Sequence, residues 1–405
     1  MRLQSNRLVA VVLPLYVAFG SILGLLQIAM PSVLQANGMG IERAGMLALL
    51  YLPFCLSALW APLIDRFKLS NRGRRKSWVL LCQSLIVAAL LAAALAGPAE
   101  ARLVVAAMVV LSFSAATMDA AVDGYLAETS SLQERAQRGG VKVIGMLSGS
   151  LIGSIVVLSA MDDLGWHWTI AILAVFAALA AIPFLLHQEK VAGNGTRAFP
   201  SVGHFLSAPA VLPRLSLALV IGLALGLGLG APRLLLIEAG FPLTTIGTIF
   251  GPVGAVAGLI GAVAGTAISR WLEITSVLLS AAALFALSKL MFGLMPVSPA
   301  DGIVTVAGAI AMAVFSYGAL YGTVCGLAIG WVGADQAATD YSIFQSGWNL
   351  SLVLGTAFGG VALSLFASAI FPVVGFIVLA ATVLLVRTDK MSSRQKMASP
   401  EAVGS

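Results

Sequence analysis

Two aspartates stand inside an otherwise apolar stretch, Asp119 and Asp123 in TMDAAVDGYLAE. On a helix, spacing i, i+4 puts both carboxylates on one face, one turn apart. Like charges that close resist ionising together, so one of the pair can hold a proton while the other stays charged. Reversible proton carriage is the chemistry such a pair can do. A structural ion pair with Arg66, Lys142 or another loop cation accounts for Asp123 equally well. Lys142 is the natural counter-charge, and it also suits a snorkelling role at a helix end.

Further candidates are Tyr16 and Gln27, Tyr317 and Tyr321 one turn apart, and the polar cluster Gln345, Trp348 and Asn349. Rings and amides within apolar runs can line a cavity for a flat or aromatic ligand, or simply pack helices together. Arg233 offers charge to an anionic ligand, whereas Lys289 suits an interfacial position. His167, His187 and His204 share no ligand spacing. Cys55, Cys82 and Cys325 all fall inside apolar runs, so neither a disulfide nor a metal site is expected. No G-x-x-x-x-G-K-[ST] or H-E-x-x-H stretch occurs, which leaves ATP-driven transport and zinc proteolysis without support. No nucleophile–base pair suggests an enzyme, and no cofactor is expected.

The elements holding these residues must be membrane helices. Of 405 residues, 60% are apolar and only 10% charged, against roughly a quarter charged in a soluble domain. A span needs ~20 apolar residues, which leaves room for about twelve. They are expected near 8–29, 44–63, 78–97, 103–126, 139–160 and 167–186, then near 215–237, 244–268, 275–295, 303–331, 341–367 and 371–387. The first is expected to be an uncleaved helix rather than a signal peptide. Gly145, Gly149 and Gly153 recur at i, i+4, as do Gly222, Gly226 and Gly230, and Gly261 with Gly265. Such small-residue faces let backbones approach closely.

Basic residues orient the chain, since they favour the cytoplasmic side. With the N-terminus inside, 19 of the 23 Lys and Arg face the cytoplasm. Arg43, Arg102, Arg233 and Lys289 face outward. Both termini are therefore expected to be cytoplasmic, and the net charge of +6 serves orientation rather than nucleic-acid binding. The polar stretch 187–214 splits six spans from six. The expected organisation is an N-terminal six-helix bundle over 1–186, a cytoplasmic loop over 187–214, a C-terminal bundle over 215–387 and a cytoplasmic tail over 388–405. An even split with an inside loop is what two parallel repeats require. A faint match of Ala61–Arg66 onto Gly265–Arg270 agrees with it.

The loop WAPLIDRFKLSNRGRRKSW, residues 60–78, is the most specific stretch. Asp65-Arg66 followed by Gly73-Arg74-Arg75-Lys76 resembles the loop signature between spans 2 and 3 of the major facilitator superfamily, with Ala61 in place of its leading glycine and a longer spacer. That spacer, Met118 to Tyr125 with Glu134-Arg135 and Gly139, and Ala338-Thr339-Asp340-Tyr341 through Gln345 resemble the muropeptide-permease branch. That branch carries further spans toward its C-terminus. The twelve expected here therefore look more like the short rhizobactin- and pyochelin-type siderophore permeases.

The resemblance implies an all-α membrane protein of twelve helices in two six-helix bundles, in a bacterial cytoplasmic (inner) membrane. It implies import of an intact ferric siderophore, an anionic chelate, by proton-driven alternating access. Asp119 and Asp123 are then the coupling pair. Tyr16, Gln27, Arg233, Tyr317, Tyr321, Gln345, Trp348 and Asn349 become the cavity groups, and Asp65, Arg66, Arg74, Arg75 and Lys142 the conformational lock. The expected partners are the small-molecule substrate, protons and membrane lipid, with the chain a monomer. The alternatives are a permease for muropeptides or another anionic metabolite, and a non-transporting membrane assembly factor.

Overall fold

A computed structural model of the chain describes residues 2–40, 46–70, 73–131, 134–189, 200–208, 210–294, 303–333 and 335–398. The basic residues Arg43, Arg72, Lys190 and Arg197, used above for orientation, lie outside them. Among the described residues every regular element is helical. In chain order these are α1 (Arg2–Gly24), α2 (Met30–Ala36), α3 (Leu52–Leu56), α4 (Ala61–Arg66), α5 (Arg74–Ala96), α6 (Ala101–Thr129), α7 (Arg135–Leu151) and α8 (Val157–Leu186). After these come α9 (Val202–Ser207), α10 (Val211–Glu238), α11 (Leu243–Thr248), α12 (Gly254–Ile268), α13 (Ile274–Leu294), α14 (Ile303–Ile329), α15 (Ala337–Phe366) and α16 (Ile370–Ala398).

Nine helical segments among the described residues are long and apolar enough to cross a membrane. Two of them are double length. Arg135–Leu186 is interrupted at Gly165, whose φ of 74° breaks the helix, and Ala337–Ser392 is interrupted by a 3₁₀ turn at Ala367–Ala369. The second expected span is not one continuous helix. It runs as a 3₁₀ turn (Leu47–Tyr51), α3, a second 3₁₀ turn (Ser57–Leu59) and α4. Pro53 and Pro62 explain the breaks, because each lacks the N–H an uninterrupted helix needs at its position.

The chain forms two compact units. One comprises Met1–Ser201 with Val332–Ser346, the other Val202–Trp331 with Gly347–Ser405. In the first, α1 packs along α7, and α5 packs against both α6 and α8. In the second, α12 packs on α14, and α13 on α14 and α16. Helix α15 begins in the first unit and continues in the second.

Glycine allows the α1–α7 contact. A Cβ at Gly149 would lie 1.9 Å from the Val17 carbonyl oxygen and 2.7 Å from the Ser21 nitrogen. Both are backbone atoms and cannot swing aside. Gly149→Ala is therefore expected to cost about 1–3 kcal/mol by overpacking. Thermal melting of the purified protein checks this, with Gly247→Ala as control, since nothing lies within 4 Å of that position. Equal melting temperatures for the two variants would contradict the close-approach account.

Candidate functional site

Helix α6 is buried on every face from Met118 to Leu126, so its two carboxylates cannot turn to solvent. It continues to Thr129, which sets Asp123 six residues, ~9 Å by helical rise, from its end. That is deeper than the expected span boundary at 126 implied. Helix α7 begins at Arg135, and Lys142 lies nearly two turns inside it, buried at 1% exposure. A snorkelling lysine keeps its ammonium in water, so that account does not describe Lys142.

The three charged groups meet. Lys142 Nζ lies 3.1 Å from Asp119 Oδ2 and donates a second hydrogen bond to Asp123 Oδ2. The Tyr16 hydroxyl donates to Asp123 Oδ1 at 2.7 Å. The Tyr341 ring centroid is 5.3 Å from the ammonium and that of Tyr16 is 5.8 Å away, within cation–π range. Asp123 thus has partners on both oxygens. Asp119 does not, because its buried Oδ1 has no hydrogen-bond partner among the described residues. Desolvation makes an isolated buried charge costly, so a proton on this unpartnered oxygen would offset the second negative charge.

A second cluster gathers around Asp65 at the end of α4. Arg75 Nη2 donates to Asp65 Oδ1 at 2.5 Å and to Glu128 Oε1 at 2.8 Å, with Arg75 and Asp65 fully buried. Arg74 Nη2 reaches the same Glu128 oxygen at 2.6 Å, and its Nη1 donates to the Asp65 carbonyl at 3.0 Å. Asp65 also receives the backbone N–H groups of Ala338 and Thr339, at 3.2 and 2.7 Å, and the Thr339 hydroxyl at 2.6 Å. Those N–H groups open α15, where the first helical donors have no partner inside the helix and the helix dipole favours a negative charge.

Glu189 does the same for α5. It accepts from the N–H groups of Arg75 and Lys76, at 3.1 and 2.9 Å. Gly73, at φ 118°, makes the turn that places it there; a Cβ at Gly73 would lie 2.2 Å from Glu189 Oε2. Next to it a 2.6 Å hydrogen bond joins the Tyr125 hydroxyl and His187 Nε2. Burial and the nearby Lys76 ammonium hold the His187 imidazole below its ordinary pKa.

A sequence profile described as Major Facilitator Superfamily matches residues 12–324. The chain belongs to the major facilitator superfamily. Among individual relatives, it is 30% identical over 163 residues to the Rickettsia felis protein AmpG 4, covering 39% of each chain. It is 27% identical over 178 residues to the anhydromuropeptide permease of Escherichia coli K12, covering 43% of this chain and 36% of that one. The matched region thus spans only about two fifths of these curated relatives. The fold also matches the crystal structure of the human organic anion transporter MFSD10, with a TM-score of 0.72, 15% identity, and coverage of 94% of this chain and 99% of that one. As a member of that superfamily, with nine helical segments long and apolar enough to cross a membrane among its described residues, the chain is a multi-pass membrane protein.

The remaining expected cavity residues of this facilitator divide between its two units. In the second, the rings of Tyr317 and Tyr321 stack at 5.7 Å and those of Tyr321 and Trp348 at 5.2 Å. Trp348 is buried and so is Asn349 beside it. Gln345 is buried in the part of α15 that belongs to the first unit. Tyr16, by contrast, belongs to the carboxylate cluster. Gln27 is exposed, as are Arg66 and Arg233. The Arg233 guanidinium lies over the Phe250 ring at 5.2 Å.

Sequence reasoning missed Glu128, Glu189, Thr339 and Tyr341 as members of these clusters. For Glu128 the signal was present, since it follows Asp123 on the same helix and faces a loop with five other basic residues beside Arg75 between 64 and 77. Lys289 also departs from expectation. It was read as interfacial, but it is buried at 1% exposure.

Proposed function

We propose that this facilitator is a proton-coupled importer of a muropeptide-type sugar–peptide, and that Asp119 is the group that takes up and releases the proton. The observation that carries the coupling is the division of labour within one cluster. Asp123 is held by Lys142 and Tyr16, whereas one Asp119 oxygen is left without a hydrogen-bond partner among the described residues. A carboxylate that is not fully committed to a structural pair can change protonation without dismantling the fold.

The substrate class rests on the relatives. Both named above carry muropeptide-permease or AmpG names, which favours the muropeptide alternative over the ferric-siderophore expectation. The latter retains only its sequence resemblance. In this reading the chain crosses a bacterial inner membrane twelve times, the double-length segments turning at Gly165 and at Ala367–Ala369, with both termini cytoplasmic. Alternating access of two six-helix bundles moves the cargo. The Asp65 cluster then acts as the lock that holds one end closed, and the stacked Tyr317, Tyr321 and Trp348 belong to the substrate path.

The test is uptake of radiolabelled anhydromuropeptide by cells lacking their own muropeptide permease, with a ferric pyochelin-type chelate as the parallel substrate. Expression of the wild-type chain should give accumulation that an uncoupler abolishes. Asp119→Asn should reduce accumulation to the equilibrated level while leaving exchange of labelled for unlabelled substrate. Accumulation by Asp119→Asn equal to wild type would rule out the coupling role. Uptake of the chelate without uptake of the muropeptide would restore the siderophore reading.

A further inference from the structure

Lys289 is buried within the second unit, on α13, and has no ion-pair partner among the described residues. Its ammonium is instead enclosed by three phenyl rings, with centroids 5.2 Å (Phe285), 5.7 Å (Phe292) and 6.0 Å (Phe371) from Nζ. Ring faces attract a cation, but three of them do not by themselves explain why a lysine stands where a leucine would pack. Its hydrogen bond does. Nζ donates to the backbone carbonyl of Gly228 at 2.7 Å.

Gly228 is on α10, and the residue four positions on is Pro232, inside the same helix. In an α-helix the carbonyl of residue i accepts from the N–H of residue i+4. Proline has no N–H, so Pro232 can offer Gly228 no such bond. In a membrane no water replaces it, and freed backbone groups must be met by neighbouring side chains. The approach is close: a Cβ at Gly228 would lie 3.0 Å from Phe285 Cζ and 3.0 Å from Val374 Cγ1. A glycine therefore lets α13 and α16 come near enough for Lys289 to reach the carbonyl.

We propose that Lys289 is the donor that completes the proline-interrupted helix α10, so that Pro232, Gly228 and Lys289 form one coupled device. Pro232 supplies a bendable point, and Lys289 pins it in the conformation seen here. The aromatic cage holds the ammonium, which would otherwise have no reason to stay buried. This inference is independent of the substrate and of proton coupling.

The decisive property is non-additivity. In Pro232→Ala the new N–H at position 232 can bond to Gly228, and Lys289 becomes dispensable for that carbonyl. Lys289→Met in the wild-type background should lower the melting temperature of the purified full-length protein by about 1–4 °C. It should also speed amide hydrogen exchange across residues 226–238. The same substitution in the Pro232→Ala background should leave both readings unchanged or raise the melting temperature. If Lys289→Met yields no folded protein, the Pro232→Ala/Lys289→Met variant should restore it. Equal losses in the two backgrounds, or failure of the double variant to restore folding, would overturn the proposal.

Discussion

Lys142→Met is expected to be more damaging than any single change to the carboxylates it holds. The substitution nearly preserves side-chain length and keeps the apolar stem. What it removes is, among the described residues, the one positive charge within hydrogen-bonding reach of both Asp119 and Asp123. Two buried carboxylates would then face each other across one helical turn, with the Tyr16 hydroxyl still donating to Asp123 Oδ1. Breaking a buried pair by removing one partner costs about 3–5 kcal/mol, because the charge left behind is uncompensated. A loss of that size is a large share of a typical folding free energy, so folded yield should fall sharply.

Asp119→Asn should cost far less. An amide keeps an oxygen that can accept from Lys142, and the other oxygen of Asp119 had no hydrogen bond to lose. The comparison separates charge balance from packing. Asp123→Asn/Lys142→Met removes one charge of each sign and should recover part of the stability lost in Lys142→Met alone. Neighbouring sites of this kind couple strongly, so the sum of single effects should overshoot the double by about 0.5–3 kcal/mol. Size-exclusion profiles and melting temperatures of the purified variants give the reading. Wild-type stability for Lys142→Met would mean that the ammonium is not the charge that holds the pair.

How much of this was legible in the sequence depends on the distance over which each contact acts. Asp119 and Asp123 were readable because helical periodicity alone brings positions i and i+4 together. Lys142 was readable because it lies within two turns of the start of the next helix, so chain connectivity keeps it close. Tyr16 was singled out as a cavity group, but its bond to Asp123 was not foreseen, since it joins residues 107 apart and no local pattern encodes that pairing. Asp65 and Arg75 were visible as a signature. Its target, the N-terminus of α15, was not, because the donors there are backbone groups and carry no side-chain letter.

Faces are harder to read where the helix is not regular. Gln27, expected to line a cavity, is exposed and sits within the π turn Leu25–Ala29. One extra residue per turn rotates everything near it relative to an ideal helix. The second span read as a single apolar run, and its two prolines were the letters that should have broken it. Lys289 was misplaced for a related reason. Its burial depends on a carbonyl that Pro232 leaves without a donor, and hydropathy does not register a missing N–H.

Asp65→Ala is expected to cost more than Arg75→Met, although the two residues form one ion pair. Arg75→Met leaves Asp65 with the N–H groups of Ala338 and Thr339 and the Thr339 hydroxyl, in the positive field at the start of α15. The carboxylate is still compensated. Asp65→Ala removes the pair and the cap together. It deprives the opening N–H groups of α15 of their acceptor, for which capping losses of about 0.5–2 kcal/mol are typical. It also leaves the fully buried Arg75 guanidinium with Glu128, which must already serve Arg74. With one shared carboxylate left for two arginines, the expected total rises to about 3–5 kcal/mol.

Hydrogen exchange distinguishes the two contributions. In Asp65→Ala the amides of residues 338–342 should exchange much faster than in the wild type, because the first turn of α15 loses its anchor. In Arg75→Met they should stay protected while the melting temperature falls by a smaller amount. In a facilitator this difference has a functional form. A helix start that is held by a carboxylate on another segment opens only when that carboxylate moves, so Asp65→Ala should loosen the proposed lock and Arg75→Met should weaken it without releasing α15. If both variants exposed residues 338–342 equally, the arginine rather than the helix terminus would be the main hold on Asp65.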